Sequence, residues 1–328
     1  MHSYTLRRAA AALAAVLAMT IAGCSGATQQ ERPEQYPSQD LEWTIAFGPG
    51  GGNDIMARTI VDILKRHQLY PHDIVVENLE GGSGSKGWGH VFSETGNPYA
   101  ISTTSGSFIT TPLQADTGWQ PQSFTHVGLF ATDDTLFILP GTSPITDWAG
   151  WVRYAKGKGK VVVGGIGTVN VDFIVHALLA ERAGYEIEYV PFDEEGQMQT
   201  ALLSGALDAM VSNPGSILGQ VQATQVRALL FTADQPLPEL PGVPTAASLG
   251  FTDLPAMPRG LILPPGAPEY AQQWWIRTMQ QVVQTPEWKA YIAENHLTED
   301  LRWGADFTAY LDQTQAEFRR ILTERGAL

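Results

Sequence analysis

Glycines and small hydroxyl residues recur where strand-like sequence gives way to helix-like sequence. Gly48-Pro49-Gly50-Gly51-Gly52-Asn53-Asp54 separates a strand pattern, Trp43 to Phe47, from a helix pattern, Ile55 to His67. Gly81-Gly82-Ser83-Gly84-Ser85-Lys86-Gly87 follows a strand pattern at Asp73 to Asn78. Ser105-Gly106-Ser107 follows Tyr99 to Thr103, and Gly164-Gly165-Ile166-Gly167-Thr168-Val169-Asn170 follows Lys160 to Val163. A helix start presents free N–H groups and the positive end of the helix dipole. Glycines let that backbone approach a ligand closely. Together they form an anion cradle, to which Ser83, Ser85, Ser105, Ser107 and Thr168 can add donors. The chemistry implied is reversible capture of a small anion.

Covalent and metal chemistry find little support. Gly50-Gly51-Gly52 lacks the Gly-Lys-Ser/Thr of a P-loop. Gly165-Ile166-Gly167-Thr168-Val169-Asn170 lacks the third glycine of a dinucleotide fingerprint. Ser83-Gly84-Ser85-Lys86-Gly87 lacks the first glycine of a nucleophile elbow. The seven histidines form no H-x-H or H-E-x-x-H pair, so no zinc site is expected. His176 reads as a packed residue, Asp54 as a cap and Asp208 as a solvated acid at a helix end.

The surrounding elements alternate. Helix patterns at Val171 to Leu179 and Glu195 to Ser204 interleave with strand patterns at Ile187 to Pro191, Ala209 to Ser212, Val226 to Thr232 and Arg259 to Leu263. Thr125 to Leu139 reads as one long extended segment, Trp148 to Ala155 as a polar helix, and the chain closes on two amphipathic helices, the last from about Ala305 to Ile321. Alternation of this kind predicts an α/β fold with mostly parallel sheet. The strand–glycine turn–helix unit appears at Gly48 and again at Gly164, so two similar lobes are expected. Ligands of open α/β sheets bind beyond the carboxyl ends of the strands, where all these turns lie.

Composition is globular, at 44% hydrophobic and 16% charged residues over 328 positions. The net charge of −14 argues against nucleic acid as a partner. The N-terminus has its own signature. Arg7 and Arg8 precede an apolar run from Ala9 to Thr20, which ends in Ile21-Ala22-Gly23-Cys24. The run is too short to span a bilayer and reads as an export signal over residues 1–23. Cys24 is the only cysteine, whereas exported proteins use cysteines in pairs for disulfides. The ending resembles a bacterial lipobox, which makes Cys24 the expected lipidation site. Residues 24–40 would then be the lipidated Cys and a flexible tether.

The order of these features resembles the substrate-binding proteins of tripartite tricarboxylate transporters, the TctC-like or Bug family. The residues that carry the resemblance are Phe47 to Arg58 (FGPGGGNDIMAR), Glu77 to Gly87, Gly164 to Thr168, Ala201 to Ala209 (ALLSGALDA), Arg227 to Phe231, Leu240 to Thr245 and Gly260 to Pro268 (GLILPPGAP). The resemblance implies a type II periplasmic-binding-protein-like fold with two lobes, a hinge and a central ligand cleft. Lobe I is expected over residues 41–131 and 236–328, and lobe II over 132–235. It implies no catalysis and no cofactor, with small carboxylates as ligands, permease subunits in the membrane as partners, and a monomer. Carried over by motif, the ligand-binding residues are Gly51, Gly52, Asn53, Asp54, Ser83 and Gly84, with Gly167, Thr168 and Val169 from the second lobe. The turn argument adds Ser105 and Ser107, and a position after a strand end adds Asn213. The family's Pro-Tyr-Lys-Gly is here Pro191-Phe192-Asp193-Glu194, and Asn53 stands where Ser or Thr is common. These differences open the ligand class to monocarboxylates, amino acids and aromatic acids. A sensor for a signalling receptor and an exported hydrolase are the alternative readings.

Overall fold

The computed structural model describes residues 33–328 except 167, 168, 193, 194, 253, 325 and 327. The export signal, Cys24 and most of the tether lie outside the described residues. In chain order the elements are β1 (Leu41–Ile45), α1 (Gly52–Arg66), β2 (Ile74–Asn78), α2 (Ser85–Ser93), β3 (Ala100–Thr103), α3 (Gly106–Gln114), β4 (Thr125–Asp133) and β5 (Leu136–Pro140). Then come α4 (Trp148–Lys158), β6 (Lys160–Ile166), α5 (Val171–Ala183), β7 (Glu186–Phe192), α6 (Glu195–Leu203), β8 (Ala209–Ser212), α7 (Pro214–Gln222) and β9 (Val226–Phe231). The chain ends with β10 (Met257–Leu263), α8 (Glu269–Val282), α9 (Pro286–Glu294), β11 (Thr298–Trp303) and α10 (Ala305–Glu324).

Among the described residues the strands form two sheets, in the orders β11-β4-β10-β3-β1-β2 and β7-β6-β8-β5-β9. Each has a parallel half, β2-β1-β3 and β7-β6-β8. Each is completed by antiparallel strands: β10, β4 and β11 in the first, β5 and β9 in the second. The expectation of mostly parallel sheet is therefore corrected to mixed sheet. The reason lies in the extended segment Thr125 to Leu139. It breaks at Asp134–Thr135, and its halves β4 and β5 join different sheets as antiparallel strands. Polar Asp133, Asp134 and Thr135 interrupt the apolar run there, and all three are buried. Thr135 and Thr232 tie the crossing together, through Thr135 N–H to Thr232 Oγ1 at 2.8 Å and Thr232 N–H to Thr135 O at 2.9 Å. The chain thus crosses to the second sheet after β4 and rejoins the first at β10.

Aromatic packing holds the glycine turns in place. Trp88 is fully buried beneath the second turn, against Phe47, Phe108 and Trp119, and its indole N–H donates to Thr103 O at 2.9 Å. A Cβ on Gly84 would overlap that ring, and Gly84 also has φ +89°, so glycine is required twice over. Gly87 lies against the end of β1, where a Cβ would come 2.6 Å from Ala46 Cα and 2.9 Å from Leu79 O. Backbone cannot yield as a side-chain tip can. Gly87→Ala is expected to cost about 1–3 kcal/mol by overpacking, read as a lower midpoint in urea. An unchanged midpoint would show that α2 is not locked to the first sheet.

Candidate functional site

The first glycine turn is braced from below by its own helix. Gly50 has φ +82° and its N–H donates to Asp54 Oδ2 at 2.9 Å. Asp54 Oδ1 accepts from Arg58 Nε at 2.9 Å and Asn78 Nδ2 at 3.1 Å. Burial pushes the Asp54 carboxyl up, but these hydrogen bonds outweigh it and hold it below the ordinary carboxylate range. Neither Asn53 nor Asp54 caps the helix, because α1 begins earlier, with Gly51 as its N-cap and no side-chain cap bond. Gly51 and Gly52 stay exposed, so the first-turn N–H groups face outward from a fixed loop.

Arg259, near the start of β10 and past the carboxyl end of its antiparallel neighbour β3, lies against this helix start. A Cβ on Gly52 would come 2.6 Å from Arg259 Nη2. Arg259 Nη1 donates to Asn53 Oδ1 at 3.3 Å, and Nη2 is ion-paired with Asp133. The arginine is 7% exposed, and its Nε has no hydrogen-bond partner among the described residues. A guanidinium at the positive end of a helix dipole is repelled unless an anion shares the place. Asp133 supplies part of that compensation. Asn213, after β8, donates to Asp133 Oδ1 at 2.7 Å and to Asp134 O at 3.0 Å. Arg259, Asp133 and Asn213 thereby link the helix start on the first sheet to a strand end of the second.

The other expected residues fall as follows. Ser83 is exposed with φ +52°, and its carbonyl accepts from Thr111 Oγ1 at 2.9 Å. Ser105 is the N-cap residue of α3 and is buried, with no partner for its Oγ among the described residues. Ser107 sits half-buried in the first turn of that helix. A Cβ on Gly106 would meet Val171 Cγ2 at 2.7 Å and Asn170 Oδ1 at 3.2 Å, so the starts of α3 and α5 are in contact across the two sheets. Val169 is buried, and its carbonyl accepts from Gln114 Nε2 at 3.0 Å. Gly167 and Thr168 lie outside the described residues. Gly164 and Gly165 belong to β6 and not to a turn: both pair with β7, and glycine is needed there because a side chain would strike Leu207, Tyr189 or Asp172. Asp208 is a brace, accepting from Tyr154, Lys158 and the Val162 amide. His176 is fully buried and bonds Gly164 O at 3.1 Å, as a packed histidine does.

Sequence reasoning passed over Arg259 and Asp172. Asp172 is 3% exposed in the first turn of α5. Its Oδ2 accepts from the Ile166 amide at 2.7 Å, and its Oδ1 has no partner among the described residues. Burial pushes this carboxyl up to about 7, against the Ile166 amide and with help from Glu195 and Asp133. Both residues carry a signal: Arg259 is the one charge in the strand MPRGLIL, and Asp172 the one acid in VDFIVHALLA, the first ten residues of α5. Buried polar atoms without a protein partner are the groups a polar ligand would satisfy.

A cavity of about 680 Å³ lies elsewhere, lined among others by Asp134, Thr232, Asp300, Arg302, Tyr310 and Glu317. It includes no glycine-turn residue, and its described lining holds five carboxylates, Asp134, Asp234, Glu299, Asp300 and Glu317, against one cation, Arg302. For an anion, the glycine turns and Arg259 are the better site. Gly52→Ala tests this. The added methyl displaces the arginine tip without touching backbone, so the fold should hold while carboxylate affinity falls roughly tenfold. Calorimetric titration reads the affinity, and an unchanged value would remove the α1 start from the site.

No group of three or more metal-ligating side chains occurs among the described residues, and no described helix is long and apolar enough to cross a membrane. Comparison with known proteins supports a binding role. The chain is 19% identical to a TctC solute-binding protein from Polaromonas, with TM-score 0.77 over 88% of this chain and 99% of that one. MatC from Rhodopseudomonas palustris, solved with bound malate, is 19% identical with TM-score 0.71 over 88% and 100%. An R. palustris protein solved with adipate is 21% identical with TM-score 0.75 over 89% and 98%. These likenesses show the fold, a mixed α/β periplasmic-binding-protein architecture. Residues 56–327 match the tripartite tricarboxylate transporter family receptor, TctC. The chain therefore belongs to the TctC family of exported, periplasmic solute-binding proteins, whose fold serves binding and not catalysis.

Proposed function

We propose that this protein captures a small organic acid between its two sheets and hands it to a tripartite permease in the membrane. The observation that carries this reading is the buried guanidinium of Arg259 against the glycine-rich start of α1. One carboxylate there would compensate both the helix dipole and the arginine. Gly51, Gly52 and Asn53 supply backbone N–H groups, and Ser105 adds a hydroxyl that has no partner among the described residues. Asp54 works from behind, holding Gly50. The two similarly folded R. palustris proteins, solved with malate and adipate, support the ligand class.

Closure of the two sheets about the crossings at Asp134–Thr135 and beyond β9 would enclose the ligand, with residues 41–131 and 236–328 as the proposed lobe I and 132–235 as the proposed lobe II. A lipid on Cys24 would keep this monomeric binder near its permease at raised local concentration. A thermal-shift screen of organic acids tests the ligand class. At least one carboxylate should raise the melting temperature in a concentration-dependent way, and a flat response across the panel would sink the reading. The anchor is tested separately: Cys24→Ala should release the protein from the membrane fraction, and retention would argue against lipidation.

A further inference from the structure

The charges around Arg259 include acids as well as cations. Arg259 is already ion-paired with Asp133, and Arg58 with Asp54. On the side of the second sheet, Asp172 lies in the first turn of α5, whose start touches that of α3, and Glu195 lies at the start of α6. Glu195 is half-buried, and its Oε1 accepts from Ser212 and from Gln199. Glu195 and Asp133 both act electrostatically on Asp172.

Two buried atoms without partners among the described residues face opposite needs. Arg259 Nε is a donor on a cation, and Asp172 Oδ1 is an acceptor on an acid. A carboxylate answers the first. A second carboxylate on the same ligand would bring like charge toward Asp172 and Glu195, whereas an ammonium group would bring three donors and a positive charge.

We propose that the preferred ligand carries an ammonium group as well as a carboxylate, with Arg259 and the α1 start holding the carboxylate and Asp172 and Glu195 holding the ammonium. The class is an amino acid or an amino diacid. This deepens the organic-acid reading above and rests on it. Burial, with Glu195 and Asp133 beside it, penalises an ionised Asp172. An arriving cation offsets that penalty, so the acid serves recognition better than it serves the empty protein.

Calorimetric titration of the purified full chain with matched pairs tests this: succinate and aspartate, glutarate and glutamate, adipate and 2-aminoadipate. In at least one pair the amino form should bind roughly tenfold or more tightly than its diacid, as one charge-assisted contact implies. Asp172→Asn should bring that ratio to about one, or reverse it. Asparagine can still accept from the Ile166 amide, so a merely structural role would leave the ratio intact. Glu195→Gln provides a second variant, also expected to lower the ratio. The proposal is overturned if diacids match or exceed their amino forms in every pair, or if the preference survives both substitutions. Diacid binding without preference overturns this proposal alone. Binding by neither member of any pair overturns the organic-acid reading as well.

Discussion

Arg259→Gln is expected to weaken carboxylate binding by roughly a hundredfold, the scale of losing one buried, charge-assisted partner. The substitution also strands Asp133, which is buried and takes its ion pair from Arg259. Leaving a buried charge without its partner costs about 3–5 kcal/mol, so the single variant should also melt earlier. The two effects separate in the double variant Arg259→Gln with Asp133→Asn. Removing both charges should restore much of the stability, because the desolvation penalty of each is then gone. It should not restore affinity. Titration calorimetry and thermal melts read the two outcomes. Affinity that returns with stability would make Arg259 a structural residue only.

Asp172→Asn is expected to stabilise the protein at pH 8 by on the order of 2 kcal/mol. Burial pushes the native carboxyl up to about 7, while an unfolded aspartate titrates near 3.8. The native state therefore holds a proton that the unfolded chain releases. Its contribution is fully present below the unfolded value and is lost as pH rises through about 7. Asparagine carries no charge and keeps an acceptor for the Ile166 amide, so the variant escapes that loss. Urea melts should show a gap at pH 8 that closes as pH falls towards 4. A gap of the same size at both pH values, or one of opposite sign, would contradict the burial argument. An acid that lowers stability at the carboxyl end of β6 is what a recognition group looks like, since function tolerates local penalties that packing would remove.

Regular periodicity was legible, and its interruption was harder to read. The alternation of strands and helices from β6 to β9 stands in the sequence because apolar runs and glycine punctuation agree there. β11 lies just before the last helix, where the sequence suggests no strand. Its residues, TEDLRW, are half-exposed on both faces at a sheet edge, so neither a period of two nor an apolar run marks it. α3, Gly-Ser-Phe-Ile-Thr-Thr-Pro-Leu-Gln, contains poor helix formers and an internal proline, yet most of its residues are buried. Tertiary packing against Trp88 and Trp119 decides its conformation over local preference. The site divides in the same way. The cradle glycines were visible as a local pattern. Arg259 was not, because it reaches Gly52 across more than two hundred positions of chain, and only the sheet order β10-β3-β1 brings the two together.

A crystal structure of the protein with an acid found by titration is the most direct test of the site. The bound carboxylate should lie within hydrogen-bond distance of Arg259 and the backbone amides at the start of α1. A ligand seated in the cavity lined by Asp134, Asp300 and Arg302, with Arg259 still facing only Asp133 and Asn53, would contradict the account.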